Sequence, residues 1–85
     1  MIDVHYFAAA RAAAGTDRES VPAAATLGEL LDALAADHAG TTDAGMTLAE
    51  IFPRCTFLVD GANSGRDALL ADATRVDVLP PFAGG

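Results

Sequence analysis

Residues 26–37 read TLGELLDALAAD and carry the strongest secondary-structure signal in this 85-residue chain. Their apolar side chains recur at intervals of three and four, which places them on one face of an α-helix. These positions are Leu27, Leu30, Leu31, Leu34 and Ala35. Thr26 and Glu29 have the spacing of a capping box, in which each side chain accepts a hydrogen bond from the other residue's backbone N–H. We therefore predict a helix that begins after Thr26 and ends near Asp37, with Gly40 as its left-handed closing residue.

Four short segments around this helix have the alternating or β-branched pattern of strands. They are residues 2–7, 18–21, 56–59 and 75–79. The alanine-rich segment 8–15 is predicted as a long hairpin loop, although its helix propensity is high. Residues 48–53 predict a short helical turn, Asp60-Gly61 predicts a tight turn, and residues 68–70 predict a turn packed against the sheet.

The order strand, strand, helix, strand, strand predicts an α+β fold with a mixed sheet crossed by one main helix. A right-handed crossover through that helix would place the first and last strands side by side in the centre. This arrangement is the ubiquitin-like β-grasp, and we predict that it occupies residues 1–79. Residues 80–85 are predicted to form a flexible tail, because Pro80 and Pro81 lack the N–H that a strand ladder needs.

The composition excludes several classes of partner. The formal net charge is −7, with five arginines and no lysine. We expect neither nucleic acid nor membrane as a partner, since both bind basic surfaces, and we expect a protein with a basic surface instead. The single cysteine, the lack of a leader pattern and the lack of a long apolar run favour a cytoplasmic location. Twenty of the hydrophobic residues are alanines, so the core is too thin for a buried active site.

Few side chains within residues 1–79 suggest catalysis or metal binding. His5 and His38 have no further ligand at the spacing of a metal site, so no metal is predicted. We expect His5 on a half-exposed strand face and His38 at the negative end of the helix. Arg54 beside Cys55 would lower the pKa of the thiol, but the start of an apolar strand favours an inert cysteine.

The segment that points to function is PPFAGG, residues 80–85. Gly84 and Gly85 have no side chain, so this segment fits a channel too narrow for other residues. Six extended residues reach at most about 20 Å, enough to carry a terminal carboxylate into another protein's pocket. Phe82 is predicted to anchor in an apolar pocket of that protein, with folding back over the sheet edge as the alternative.

Both ends of the chain resemble the MoaD/ThiS family of β-grasp sulfur carriers, and the likeness spans essentially the whole sequence. It rests on VHYFAAAR at residues 4–11, TLGELL at residues 26–31 and the ending PPFAGG, which is most similar to the molybdopterin branch. Asp60 stands where the family commonly has asparagine. Ala73 stands where the family commonly has glycine in the turn before the last strand.

The resemblance implies a carrier that is not an enzyme on its own and binds no cofactor. An adenylating enzyme similar to ubiquitin activators would use ATP to convert Gly85 to an acyl-adenylate, and a sulfur donor protein would leave a thiocarboxylate. The loaded tail would enter the large catalytic subunit of molybdopterin synthase, within a heterotetramer, and pass sulfur to cyclic pyranopterin monophosphate. Besides Gly85, the residues expected to contact partners are Gly84, Ala83, Phe82, Pro81 and Arg11.

Three other functions stay open at this point. A sulfur carrier for thiamine or cysteine biosynthesis would differ in its partners. A ubiquitin-like modifier would be joined to lysines of other proteins, although this chain has no lysine through which to link its own copies. A plain interaction module would carry the glycines by chance.

Overall fold

The computed structural model describes residues 1–81, and this part of the chain forms one five-stranded sheet with three α-helices. The strands are β1 (Ile2–Tyr6), β2 (Arg18–Val21), β3 (Thr56–Val59), β4 (Ala62–Ser64) and β5 (Arg75–Leu79). The helices are α1 (Ala8–Ala14), α2 (Leu27–Asp37) and α3 (Leu48–Ile51), and a 3₁₀ turn at Phe52–Arg54 follows α3. Within residues 1–81, no helix is both long and apolar enough to cross a bilayer.

The strand order is β2-β1-β5-β3-β4, and β1 and β5 are therefore neighbours in the middle of the sheet. They run parallel, with Asp3 opposite Arg75 and Tyr6 opposite Val78. The other neighbouring strands pair antiparallel. This is the ubiquitin-like β-grasp, and the predicted central pairing of the first and last strands is confirmed.

The core is one cluster of side chains from the helices and from one face of the sheet. The four leucines of α2 are at most 2 % exposed, which confirms the predicted apolar face of this helix. The inward side chains of β1 and β5 are also buried, as their alternation predicts; they are Ile2, Val4, Tyr6, Val76 and Val78. Each fully buried aliphatic side chain of this size stabilises the fold by roughly 1.5–3 kcal/mol.

Two elements differ from the prediction. Residues 8–14 form a helix rather than a loop, because Ala10 and Ala13 are small enough to pack against the core. Gly15 ends this helix at φ 76° and donates its N–H to the carbonyl of Arg11 at 2.9 Å. The short strand β4 was not predicted. Its polar sequence shows no alternation, and its pairing with β3 follows from the two-residue turn at Asp60 and Gly61, whose φ angles are 48° and 84°.

The beginning of α2 follows the prediction more closely than its end. The hydroxyl of Thr26 accepts a hydrogen bond from the N–H of Glu29 at 3.2 Å. The helix ends with His38 in an extended conformation, at φ −114°, so Gly40 is not its left-handed closing residue. Gly40 instead lies against α1, where an added Cβ would come within 2.6 Å of the carbonyl oxygen of Ala13. A close approach of two backbone segments therefore requires this glycine.

A complete capping box occurs at α3, where sequence analysis predicted only a helical turn. Thr47 and Glu50 each accept a hydrogen bond from the other's backbone N–H. Residues 68–70, predicted as a turn against the sheet, pair instead with the segment before α2. Leu70 donates its N–H to the carbonyl of Ala25 at 3.0 Å, and its side chain is 1 % exposed.

Candidate functional site

The C-terminal strand β5 is held on both sides up to Val78 and by β3 at Leu79, its last residue. Tyr6 of β1 lies opposite Val78, and Thr56 of β3 lies opposite Leu79. The N–H of Phe7 then donates to the carbonyl of Val78 at 3.2 Å, which extends the pairing beyond β1. Because ladder bonds on both edges satisfy the backbone of β5, the sheet fixes the position at which residues 80–85 continue.

Four strands meet at this position. β1 and β5 finish there, at Tyr6 and Leu79, while β2 and β3 begin there, at Arg18 and Thr56. We call this edge the Leu79 end of the sheet. Beyond Leu79, Pro80 is half-buried and Pro81, a predicted contact residue, is exposed. The remaining predicted site residues lie outside the described part of the chain, and their roles stay predictions; they are Phe82, Ala83, Gly84 and Gly85.

Arg11, the other predicted contact residue, is exposed on α1 near the Leu79 end. Ala8 turns the chain from β1 into α1 at φ 50°, a left-handed conformation that costs a non-glycine residue about 1–2 kcal/mol. An open concavity of about 350 Å³ lies between this helix and the sheet. Its lining residues are His5, Tyr6, Phe7, Arg11, Asp17 and Arg18. Sequence analysis did not associate Arg18 with Arg11, because their proximity depends on how α1 returns the chain to β2.

A hydrogen-bonded group of three polar side chains was missed by sequence analysis. One carboxylate oxygen of Glu19 accepts the hydroxyl of Tyr6 at 3.0 Å and lies 2.6 Å from Nε2 of His38. The rings of Tyr6 and His38 meet edge to face, with centroids 5.9 Å apart. Burial, followed by the charge of Glu19, holds the pKa of Tyr6 well above its usual range. Tyr6 therefore stays a hydrogen-bond donor that connects the central strand to β2 and to the end of α2.

The sequence does contain a signal for this group. Glu19 alternates with exposed Arg18 and Ser20, so it shares the inward face of β2 with Val21. A carboxylate on an inward face requires a partner, because an isolated buried charge is costly. His38 also lies at the end of α2, as predicted, and its half-buried side chain faces Glu19.

The thiol of Cys55 is suited to packing rather than to reaction. It is half-buried and lies 3.3 Å from the carbonyl of Ile51, to which it donates a hydrogen bond. Burial raises the pKa of Cys55 to about 11, so the neighbouring Arg54 does not produce a reactive thiolate. His5 is half-exposed on β1, as predicted. Within residues 1–81, no group of three or more His, Cys, Asp or Glu side chains could hold a metal ion.

The structure accommodates the two departures from the family pattern: Ala73 lies in the turn before β5, and Asp60, in the turn between β3 and β4, contacts that turn through its side chain. The carboxylate of Asp60 accepts hydrogen bonds from the N–H of Thr74, the hydroxyl of Thr74 and the N–H of Arg75. The bonds from Thr74 and Arg75 hold the pKa of Asp60 below its usual range. Ala73 does not have a positive φ, so this turn does not need glycine there.

A protein with this sheet order, whose central strand leads directly into a C-terminal segment, belongs to the ubiquitin-like β-grasp class. The family model described as "ThiS family" matches residues 4–85. The chain therefore belongs to the ThiS family, the MoaD/ThiS family of β-grasp sulfur carriers that its two ends resemble.

Two kinds of relative are similar to this chain. The molybdopterin synthase sulfur carrier subunit of Emericella nidulans is 31% identical over 86 residues, which cover 96% of this chain and 94% of that protein. The crystal structure of SAMP1 from Haloferax volcanii superposes with a TM-score of 0.71 at 25% identity, covering 99% of this chain and 98% of that one. A second crystal structure, of small archaeal modifier protein 1 from the same organism, gives a TM-score of 0.65 at 23% identity, with coverages of 95% and 97%.

Proposed function

We propose that this chain is the sulfur carrier subunit of molybdopterin synthase and that Gly85 carries the sulfur as a terminal thiocarboxylate. The observation that carries the proposal is the 31% identity, over nearly the whole of both chains, to a molybdopterin synthase sulfur carrier subunit. The ending PPFAGG is of the type found in the molybdopterin branch of the family, and it supports the same choice.

The proposed chemistry takes place on the main chain of Gly85. A carboxylate oxygen attacks the α-phosphate of ATP in an adenylating enzyme, which releases pyrophosphate and leaves an acyl-adenylate. Sulfide supplied by a sulfur donor then attacks the acyl carbon and displaces AMP, which leaves with one oxygen of the former carboxylate, so a thiocarboxylate remains. In the large subunit, the sulfur passes to cyclic pyranopterin monophosphate, and water restores the carboxylate. Because ATP drives this cycle, the proposal places the protein in the cytosol.

The proposed division of labour agrees with the described residues. The carrier must position a slender acyl group, and catalytic side chains belong to its partners. The sheet supplies a firm attachment just before the tail, because β1 and β3 hold β5 on both sides up to Val78 and β3 also pairs with Leu79. Glycine at the last two positions allows entry into a narrow channel and places no side chain beside the acyl carbon.

The proposal is tested first by intact mass spectrometry of the chain co-expressed with the adenylating enzyme and a sulfur source. We expect a mass gain equal to the exchange of one oxygen for one sulfur, located by fragmentation at Gly85. Purified loaded carrier is then mixed with the large subunit and cyclic pyranopterin monophosphate, and molybdopterin is measured. Absence of the sulfur adduct contradicts the carrier function. An adduct without molybdopterin formation contradicts this pathway and favours a carrier for thiamine or cysteine biosynthesis.

A second candidate function is protein modification, which the similarity to small archaeal modifier protein 1 supports. In that case a lysine amine of another protein attacks the activated Gly85, and an isopeptide bond forms. Incubation with ATP, the adenylating enzyme and cell extract distinguishes the two functions. A modifier leaves a glycine remnant on lysines of other proteins after proteolysis, whereas a dedicated carrier leaves none.

A further inference from the structure

The five arginines of this chain fall into two groups. Arg66 and Arg75 each lie 2.7 Å from a carboxylate, that of Asp32 and that of Asp77 respectively. The other arginines make no ion pair with any residue among 1–81, and all are exposed; they are Arg11, Arg18 and Arg54. The chain has twelve acidic residues, all within residues 1–81, yet none of them forms an ion pair with these three arginines.

The three arginines of the second group share one location in the fold. Arg18 is the first residue of β2 and pairs in register with His5 of β1. Arg11 lies on α1, which leaves the sheet directly after β1. Arg54 precedes by two positions Thr56, which is opposite Leu79. All three therefore lie around the Leu79 end, whereas Arg75 begins β5 at the opposite end of the sheet.

This cationic group contributes little to the fold. Arg11 and Arg18 line the same open concavity beside Phe7, which is 39% exposed, and one carboxylate, that of Asp17, also lines it. An arginine presents five N–H donors in a planar fork that matches a carboxylate, and here none of these forks binds a carboxylate of the described residues. These exposed charges lie around the Leu79 end, and they are therefore free to contact a protein that binds residues 80–85.

We infer that Arg11, Arg18 and Arg54 form a docking rim that binds acidic side chains around the mouth of the channel in the large catalytic subunit. The inference rests on the proposed function, since it concerns the protein that receives the loaded tail. The charge distribution supports an acidic mouth. The basic partner surface expected from the net charge of −7 applies to the rest of the molecule, which would repel an acidic surface. At the Leu79 end, the exposed arginines without ion pairs to residues 1–81 instead fit acidic side chains.

Such a rim acts on orientation and on the rate of association. Charges at the border of an interface steer diffusional encounter and disfavour wrong orientations, and they contribute less to the lifetime of the complex. At physiological ionic strength these interactions extend about 8 Å. The rim therefore favours encounter complexes in which the Leu79 end faces the channel, and it does so before residues 80–85 enter the channel.

The test compares two double variants with the same change in net charge. Arg11→Ala with Arg18→Ala removes two rim arginines, and Arg66→Ala with Arg75→Ala removes the two arginines that form ion pairs. We expect the rim variant to bind the purified large subunit about tenfold more weakly, mainly through slower association, and to show a weaker dependence on salt. The matched control should change the Kd by less than about threefold. Adding Arg54→Ala should weaken binding further.

Thermal midpoints of all variants establish that they fold, and Arg11→Lys with Arg18→Lys should restore most of the association rate by restoring the charge. Equal binding and equal salt dependence of the rim variant and the control overturn the inference and leave the proposed function intact. Tighter binding by the rim variant also overturns it, because the arginines would then hold the chain's own C-terminal carboxylate. If the wild-type chain does not bind the large subunit, the proposed function fails, and the inference fails with it.

Discussion

Residues 75–79 and residues 80–81 follow one another in the chain, yet their environments differ. Val76 and Val78 are 0% exposed, and strands on both sides bind the backbone of this segment. Pro80 and Pro81 lie beyond the last ladder pair, at Leu79, and cannot donate to a ladder. The strand fixes the position of the chain, and the prolines end the sheet. Residues 75–79 thus contribute to the stability of the fold, whereas the residues after Leu79 deliver the terminal glycine. Four predictions concern this division between stability and delivery.

The largest expected effect is on the transfer of sulfur. Deletion of Gly85 shortens the reach of the tail by about 3.5 Å. Misplacing a reacting atom by even 1 Å costs about 100-fold in rate, so we expect molybdopterin formation to fall by at least about 100-fold. The thermal midpoint should stay within about 1 °C of the wild-type value, because a single terminal residue adds little to stability. A large drop in the midpoint contradicts the proposed separation.

A substitution in the core should have the opposite result, with a large loss of stability and no change in sulfur loading. Leu70→Ala removes a side chain that is 1% exposed and should lower the free energy of unfolding by about 2–5 kcal/mol. Leu69→Ala is the matched control, since the neighbouring side chain is 77% exposed, and it should change this free energy by less than about 0.5 kcal/mol. Urea unfolding measures both. The folded fraction of either variant should accept sulfur at the wild-type rate, and a selective loss of loading in Leu70→Ala contradicts the comparison.

A smaller loss of stability is expected at Gly40. The added methyl group of Gly40→Ala would meet the carbonyl oxygen of Ala13, a backbone atom that cannot rotate away. We expect a loss of about 1–3 kcal/mol, typical of overpacking. Gly15→Ala is an informative comparison, because no atom lies within 4 Å of its added Cβ and only the φ of 76° is unfavourable. If Gly40→Ala lost less free energy of unfolding than Gly15→Ala, the backbone around Gly40 and Ala13 would move apart easily, and the predicted overpacking would be wrong.

The smallest expected effect concerns the turn that leads into β5. The hydrogen bonds from Thr74 and Arg75 lower the pKa of Asp60 in the folded protein, so its carboxylate stabilises the fold above its unfolded pKa of about 3.9. This contribution is lost as the pH falls through the lower, folded pKa.

Asp60→Asn tests this contribution because asparagine also tolerates a positive φ, here 48°. The thermal midpoint of the wild type should exceed that of the variant at pH 7, and the difference should shrink as the pH falls below about 4. A difference that is constant from pH 7 to pH 2.5 contradicts the role of the carboxylate.

The parts of the fold that could be predicted were those with a periodic pattern of large apolar side chains. The leucines of α2 and the alternating residues of β1 and β5 each show the period of their element, and all were assigned correctly. Helix α1 was missed because alanine gives no contrast between faces, and its burial depends on contacts with the distant α3. The prediction that Gly40 closes α2 was wrong. The atom that requires glycine at this position is the carbonyl oxygen of Ala13, which belongs to a distant part of the sequence.

The candidate site divides in the same way. The glycine ending and its proposed chemistry could be predicted from the sequence. A terminal carboxylate on a slender segment needs no other side chain of this protein for that chemistry. The bonding of Glu19 to both Tyr6 and His38 depends on the meeting of three elements, although the inward position of Glu19 gave a signal.

The sequence by itself determined the class of protein, because periodic apolar residues identify the helix and the central strands, and VHYFAAAR, TLGELL and PPFAGG together resemble the family. Only the tertiary structure determined which charges surround the point at which the chain leaves the sheet. Arg11, Arg18 and Arg54 are spread over 44 positions of the chain, and they come to one end of the sheet because α1 and the antiparallel strands β2 and β3 return the chain there. Such proximity depends on strand pairing, which is a long-range property that no local pattern contains.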